Sequence, residues 1–227
     1  MAVLVTFLQT ASSASDLQTY TFASQNLGAA AAGRYIIVAV MGRVGSIDSS
    51  ITSVTVGGVT ASIAVQVTRN DSPNSHCVGL AIASVPTGTT GDIVVVFSTT
   101  MLRAFIGAYS TDAAPVLTDT KTSSVTDPSA TIAVAAGGFV VGVSTTANAA
   151  STAAWTGITE NYDADVEASS ATGASDNFAS ANSALAVAVD WSTSNFDLLA
   201  LASWGPGSHV YLSRATRPRP FAPGLAR

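Results

Sequence analysis

The run Ile51-Thr-Ser-Val-Thr-Val-Gly-Gly-Val-Thr-Ala-Ser-Ile-Ala-Val-Gln-Val67 decides the fold class. On both sides of Gly57-Gly58, apolar residues alternate with small or polar ones at a period of two, so each flank reads as a half-buried strand. A two-residue primed turn needs positive φ, which glycine supplies without steric penalty. The stretch is therefore expected as a hairpin of strands 51–56 and 59–67. Working outward, similar runs predict strands near 3–8, 18–24, 34–41, 76–85, 92–98 and 102–110. A second series is expected near 130–134, 138–145, 152–155, 158–162, 178–182, 184–191 and 197–204. Helix formers are scarce, with glutamate twice and lysine once in 227 residues, while Ala, Ser, Thr, Gly and Val dominate. The fold class expected is all-β, an antiparallel β-sandwich or jelly-roll-like body.

Asp112 to Pro128 is polar, holds two prolines and lacks apolar periodicity, so it reads as a linker. The expected division is a first β half (1–111), a linker (112–128), a second β half (129–207) and a C-terminal arm (208–227). The halves look alike. Ala31-Ala-Gly-Arg-Tyr-Ile-Ile-Val38 matches Ala135-Ala-Gly-Gly-Phe-Val-Val-Gly142, and Val54–Thr60 is echoed by Trp155–Thr159. Ala104–Ser110 matches Leu198–Trp204, in the same order along the chain. The repeat predicts a duplication in which each half supplies about one sheet or half a jelly roll.

Charge is sparse and unevenly placed. Only 10% of residues are charged, against about 25% in an average soluble domain. Mean hydropathy is +0.41, which predicts much apolar surface covered by a core or by partner subunits. No apolar run is long enough to span a membrane, and Met1–Thr10 reads as a strand with no basic leader. Through Ser213, five basic residues stand against fourteen acidic ones. The remaining residues carry Arg214, Arg217, Arg219 and Arg227 with no acid. Pro218, Pro220 and Pro223 deny this arm helix and central-strand structure and favour an extended conformation. Its arginines can pair with partner carboxylates. Arg214, Arg217, Arg219, Phe221 and Arg227 are the expected docking residues.

Chemistry-bearing motifs are few. The single cysteine, Cys77, allows no internal disulfide and reads as a buried strand residue. His76 adjoins it, but neighbours on a strand point to opposite faces and cannot form a nucleophile–base pair. His209 stands at the start of the arm. Glu160, Asp163, Asp165 and Glu167 could offer oxygen ligands to a hard cation. Without a nearby glycine they are expected instead as a solvated hairpin end. Asn70-Asp71-Ser72 fits a glycosylation pattern that carries no weight without a secretory leader. Trp155, Trp191 and Trp204, with Phe139 and Phe196, are expected in the core of the second half rather than on a carbohydrate platform. No catalytic, cofactor-binding or metal residues are assigned. The reading is not an enzyme, with no cofactor, no membrane and no nucleic-acid partner.

Three segments carry a resemblance: Ile51-Thr-Ser-Val-Thr-Val-Gly-Gly-Val-Thr-Ala-Ser62, Val85-Pro-Thr-Gly-Thr-Thr-Gly-Asp-Ile-Val-Val-Val-Phe97 and Arg217-Pro-Arg-Pro-Phe-Ala-Pro-Gly-Leu-Ala-Arg227. In these the chain resembles bacteriophage and prophage virion structural proteins. The resemblance implies a virion component made in the bacterial host cytoplasm. The expected role is a capsid-surface decoration (cement) protein that holds the head together by protein–protein contacts. Its partners would be the major capsid protein or other virion proteins. The alternative is a tail-tip or tail-fibre-associated module that binds a receptor or carbohydrate. Charge-poor β bodies pack side by side with little side-chain entropy to lose, and closed symmetry is the default for such assemblies. A homo-oligomer is expected, with a trimer favoured.

Overall fold

In the computed structural model, which describes residues 1–71 and 73–207, these residues form no helix and seventeen strands in four antiparallel sheets. The first nine strands are β1 (Val5–Ser13), β2 (Leu17–Asn26), β3 (Tyr35–Val44), β4 (Ile51–Val56), β5 (Val59–Thr60), β6 (Ser62–Asp71), β7 (Asn74–Ser84), β8 (Thr90–Met101) and β9 (Arg103–Thr111). The next are β10 (Pro115–Ser123), β11 (Ser129–Val134), β12 (Gly138–Thr146), β13 (Ala153–Thr156), β14 (Thr159–Asp165), β15 (Ser170–Phe178), β16 (Asn182–Trp191) and β17 (Leu198–Pro206).

Strands β1 to β9 make a five-stranded sheet in the order β1-β9-β3-β7-β6 and a four-stranded sheet β2-β8-β4-β5. Strands β10 to β17 make a five-stranded sheet β10-β17-β12-β15-β14 and a three-stranded sheet β11-β16-β13. Replacing β1, β9, β3, β7 and β6 by β10, β17, β12, β15 and β14 converts the first five-stranded order into the second. The smaller sheets correspond likewise, with β5 unmatched. Even the irregularities recur, between Phe7 and Gln9 on β1 and between Leu117 and Asp119 on β10. They recur again between Ile63 and Val65 on β6 and between Glu160 and Tyr162 on β14. The same antiparallel β-sandwich is wound twice.

The architecture has four layers. One core lies between the four-stranded and five-stranded sheets of the first unit, around Tyr20, Phe22, Val54, Ile93, Phe97 and Ile106. Another lies inside the second unit, around Ile132, Val187, Val189, Trp191 and Leu201. Between them the two five-stranded sheets pack face to face through Ile37, Met41, Leu80, Tyr109, Phe139, Val143 and Trp204. Inner strands are thus buried on both faces, and β3, β7, β9, β12 and β17 read as near-continuous apolar or small-residue runs. Outer strands β8 and β16 alternate, because one of their faces meets solvent. Gly57 and Gly58 lie at φ +56° and +80° and make the expected turn from Val56 to Val59, but the strand expected over 59–67 is divided: β5 stops at Thr60 beside β4, and β6 starts at Ser62 in the five-stranded sheet.

Four further expectations need correction. The linker 112–128 contains β10, which among the described residues is an edge strand paired only with β17. An edge strand with most of its side chains in solvent needs no apolar periodicity, so the second unit begins near residue 115. Residues 179–181 form the turn between β15 and β16, and the strand expected over 178–182 is β15, at Ser170–Phe178. Its core is Ser-Ala-Thr-Gly-Ala-Ser, which lacks the branched residues that mark a strand but fits a crowded inner layer. Each half supplies two sheets rather than one. Finally, the repeat register differs from the sequence match at two of three places. Tyr109 and Trp204 correspond, each opposite its own unit's Ile37 or Phe139, so those matches were displaced by one and two residues. Val54 and Trp155 do correspond, opposite Val95 and Val189.

Candidate functional site

The expected docking residues Arg214, Arg217, Arg219, Phe221 and Arg227 lie outside the described residues, as does His209. What the structure describes is the body from which that arm departs. β17 ends at Pro206 opposite Pro115, where β10 begins. Exposed Val116 and Leu117 lie immediately beyond.

Two broad outer faces dominate the body. On the first unit, Thr19, Thr21, Ser53, Thr55, Val94 and Val96 alternate with buried neighbours and face outward. On the second, Ser129, Thr131, Ala154, Thr156, Ala184, Ala186 and Ala188 do the same. By strand alternation, the acids on these faces are Asp92 and Asp190, at strand ends. Asp92 accepts a hydrogen bond from the Ser24 amide at 2.8 Å. Such faces can meet another protein without desolvating many charges.

The residues weighed for chemistry are spent on structure. Cys77 is buried in the first unit's core, and burial pushes its thiol up to about 12. His76 projects to the opposite face, into the seam between the five-stranded sheets, with Nε2 2.9 Å from Ser169 Oγ. The acidic run forms edge strand β14 and the turn after it. Asp163 accepts from the Ala153 amide at 2.9 Å, and Asp165 accepts from the Ala150 amide and the Ser170 hydroxyl. These carboxylates tie the β12–β13 connection to β14. Glu167, at φ +53°, pairs with Arg103 of the other unit. Desolvation, with Asp163 nearby, raises the Glu160 carboxyl above its usual range. Among the described residues no group of three His, Cys, Asp or Glu side chains gathers as a metal site. The tryptophans also face inward. Trp204 stacks on Phe139 at 5.3 Å, Trp191 donates to Ser144 Oγ, and half-buried Trp155 donates to Thr172 Oγ1. Phe196 is different, lying 5.2 Å beneath the Arg69 guanidinium.

Burial pulls the His76 imidazole down to about 3, helped by the nearby Arg43 charge. The unfolded chain, with an ordinary histidine pKa near 6.5, therefore binds more protons than the native one between these values. Stability contributed by neutral His76 is present above pH 6.5 and is lost as pH falls towards 3. Urea titrations from pH 7 to 4 should show a slope from this residue approaching about 1.4 kcal/mol per pH unit. His76→Gln should remove that component, and an unchanged slope in the variant would refute the assignment.

Three structural roles were not visible in the sequence. Arg34 is fully buried and binds four loop carbonyls. Tyr162 inserts across the seam against Phe7 and Phe105. Arg103, Arg43, His76 and Arg69 stand opposite one another on neighbouring strands. Each depends on a partner far away in the chain. No protein-family model, curated protein or solved structure matches this chain.

Proposed function

We propose that the protein is a virion structural component, a capsid-surface decoration protein that stabilises a phage head through protein–protein contacts. The observation that carries this reading is the pair of broad, nearly uncharged outer faces on a four-layer body. Thr, Ser, Ala and Val on a sheet lose little rotamer freedom when covered. The body would clamp neighbouring major capsid subunits or other virion proteins, and the basic arm would pair with partner carboxylates. A homo-oligomer, with a trimer favoured, fits a body offering such faces. The strand order, passing repeatedly between paired sheets, supports reading each unit as a jelly roll. The inward tryptophans offer no stacking surface for a sugar, which favours this reading over a receptor-binding tail module.

Copy number in purified particles tests the role. Hundreds of copies per head are expected, whereas three to about eighteen would move the protein to the tail. Removing residues 214–227 should leave the unfolding transition unchanged and lower occupancy on the particle. Unchanged occupancy would reduce the arm to a solvated tail.

A further inference from the structure

A groove of about 310 Å³ opens at one end of the first unit, lined by Leu4, Thr6, Ala29, Ala31, Ser110 and Asp112. Leu4 leaves 49% of its surface in solvent there. The Asp112 carboxylate is also exposed. Its Oδ1 accepts from the Leu4 amide at 2.8 Å, and among the described residues the group has no ion-pair partner. Arg34 borders the groove as well, but it is buried and its donors are directed at four loop carbonyls. An apolar anchor flanked by a cation is the chemistry such a groove accepts.

The chain beyond Gly207 carries that chemistry. Arg217-Pro-Arg-Pro-Phe221 sets an aromatic ring beside two arginines, and residues 214–227 hold no acid. The rest of the chain is acidic, with five basic residues against fourteen acidic ones through Ser213. Two bodies therefore repel, while arm and body attract.

Length decides whose arm it is. A Cβ on Gly207 would lie 3.7 Å from the Ala114 carbonyl oxygen, so each arm departs beside its own Asp112–Ala114 segment. Arg219 and Phe221 stand twelve and fourteen residues further on. That is about 40 Å along an extended arm, roughly the diameter of a globule of this size. To fill its own groove the arm would have to double back, which Pro218 and Pro220 oppose. The groove of a neighbouring copy lies within the same span.

We propose that the groove beside Asp112 receives the Arg217–Phe221 segment of a second copy's arm. Phe221 packs against Leu4, Ala29 and Ala31, and Arg219 pairs with the Asp112 carboxylate. This contact, which rests on the arm being a docking element, makes its partner another copy of the chain. It joins two different surfaces, so successive copies close into a ring when the rotation permits.

Sedimentation of the full chain, free of particles, is the test. Native protein should self-associate, and added salt should weaken the association. Phe221→Ala should weaken it by about tenfold or more. Asp112→Asn, which keeps an acceptor for the Leu4 amide, should weaken it by roughly two- to fivefold. Asp112→Lys disables the groove, and Arg219→Gln with Phe221→Ala disables the arm, so each of these proteins alone should sediment as a monomer. Mixed in equal amounts they should form a one-to-one dimer, through the intact arm of the first and the intact groove of the second. Monomeric native protein would overturn the contact, including the case of an arm seated on its own body. Native-like association of Asp112→Lys, or a mixture that forms no dimer, would overturn it equally. Occupancy on purified particles is a separate readout. Self-association without occupancy would end the decoration role and leave the groove contact standing, and occupancy without self-association would do the reverse.

Discussion

Arg34→Ala should lower stability by about 3–5 kcal/mol, at the upper end for a single substitution. The guanidinium is 1% exposed and has no carboxylate partner among the described residues. Its Nε donates to the Val85 carbonyl at 2.7 Å and Nη1 to Gly28 at 2.8 Å. Nη2 donates to both Thr87 and Gly88 at 2.8 Å. One side chain therefore closes the β2–β3 connection onto the β7–β8 connection. Hydrogen bonds from a charged donor contribute about 1.5–3 kcal/mol each, though not additively. Truncation leaves four carbonyls to find water and lets both loops open. Burial draws the group's pKa below its usual value, but a guanidinium remains protonated throughout the ordinary range. The loss should therefore be nearly independent of pH between 5 and 9. Arg34→Lys should recover little, because three donors on a point charge cannot reproduce a planar fork. In urea the midpoint should fall with an unchanged slope. A shift below about 1 kcal/mol would mean the carbonyls were never dependent on Arg34.

How much of this was legible follows from where each residue sits. The outer strands announced themselves because one face meets water: Ile93, Val95 and Phe97 point inward while Val94 and Val96 point outward. Gly57-Gly58 marked its turn by chemistry alone. The inner strands were found as elements, but their faces were not, since Ile37 and Val38 are both fully buried, one towards the seam and one towards the first core. A pattern with no polar face cannot set register, and the repeat was matched one or two residues out for that reason. β10 and β15 were missed for opposite reasons, the first being exposed on an edge and the second small enough to sit between crowded neighbours. Lone polar residues such as Arg34, Arg43 and Tyr162 acquire their roles only through strands distant in sequence. Residue type alone said nothing of them.

Gly173→Ala should cost about 1–3 kcal/mol, and nearly all of that cost should vanish when Tyr162 is also truncated. A Cβ at Gly173 would lie 2.4 Å from Tyr162 Cζ, and one at Gly107, across the seam, 2.5 Å from Tyr162 Cε1. The ring thus lies between glycines of both units, on β15 and β9. It also approaches Phe7 at 5.5 Å and Phe105 at 5.2 Å, between ring centroids. Tyr162→Ala alone should cost about 3–5 kcal/mol, because the rigid sheets cannot close over the space. In that background an alanine at 173 enters room the ring has left, so the pair should show strong favourable coupling. The hydroxyl behaves differently from the ring. Among the described residues, Tyr162 and Tyr109 bury their neighbouring oxygens without a well-formed hydrogen bond, and burial pushes both phenols well above their usual pKa. Tyr162→Phe should consequently be near neutral or slightly stabilising, since it removes an unsatisfied polar atom and keeps the packing. Equal costs for Gly173→Ala with and without the Tyr162 ring would show that the glycine answers to something else. If the coupling is found, the glycines on facing strands are what allow two independently wound sandwiches to share one core. The contact unique to the second unit's bulged edge then becomes the joint between them.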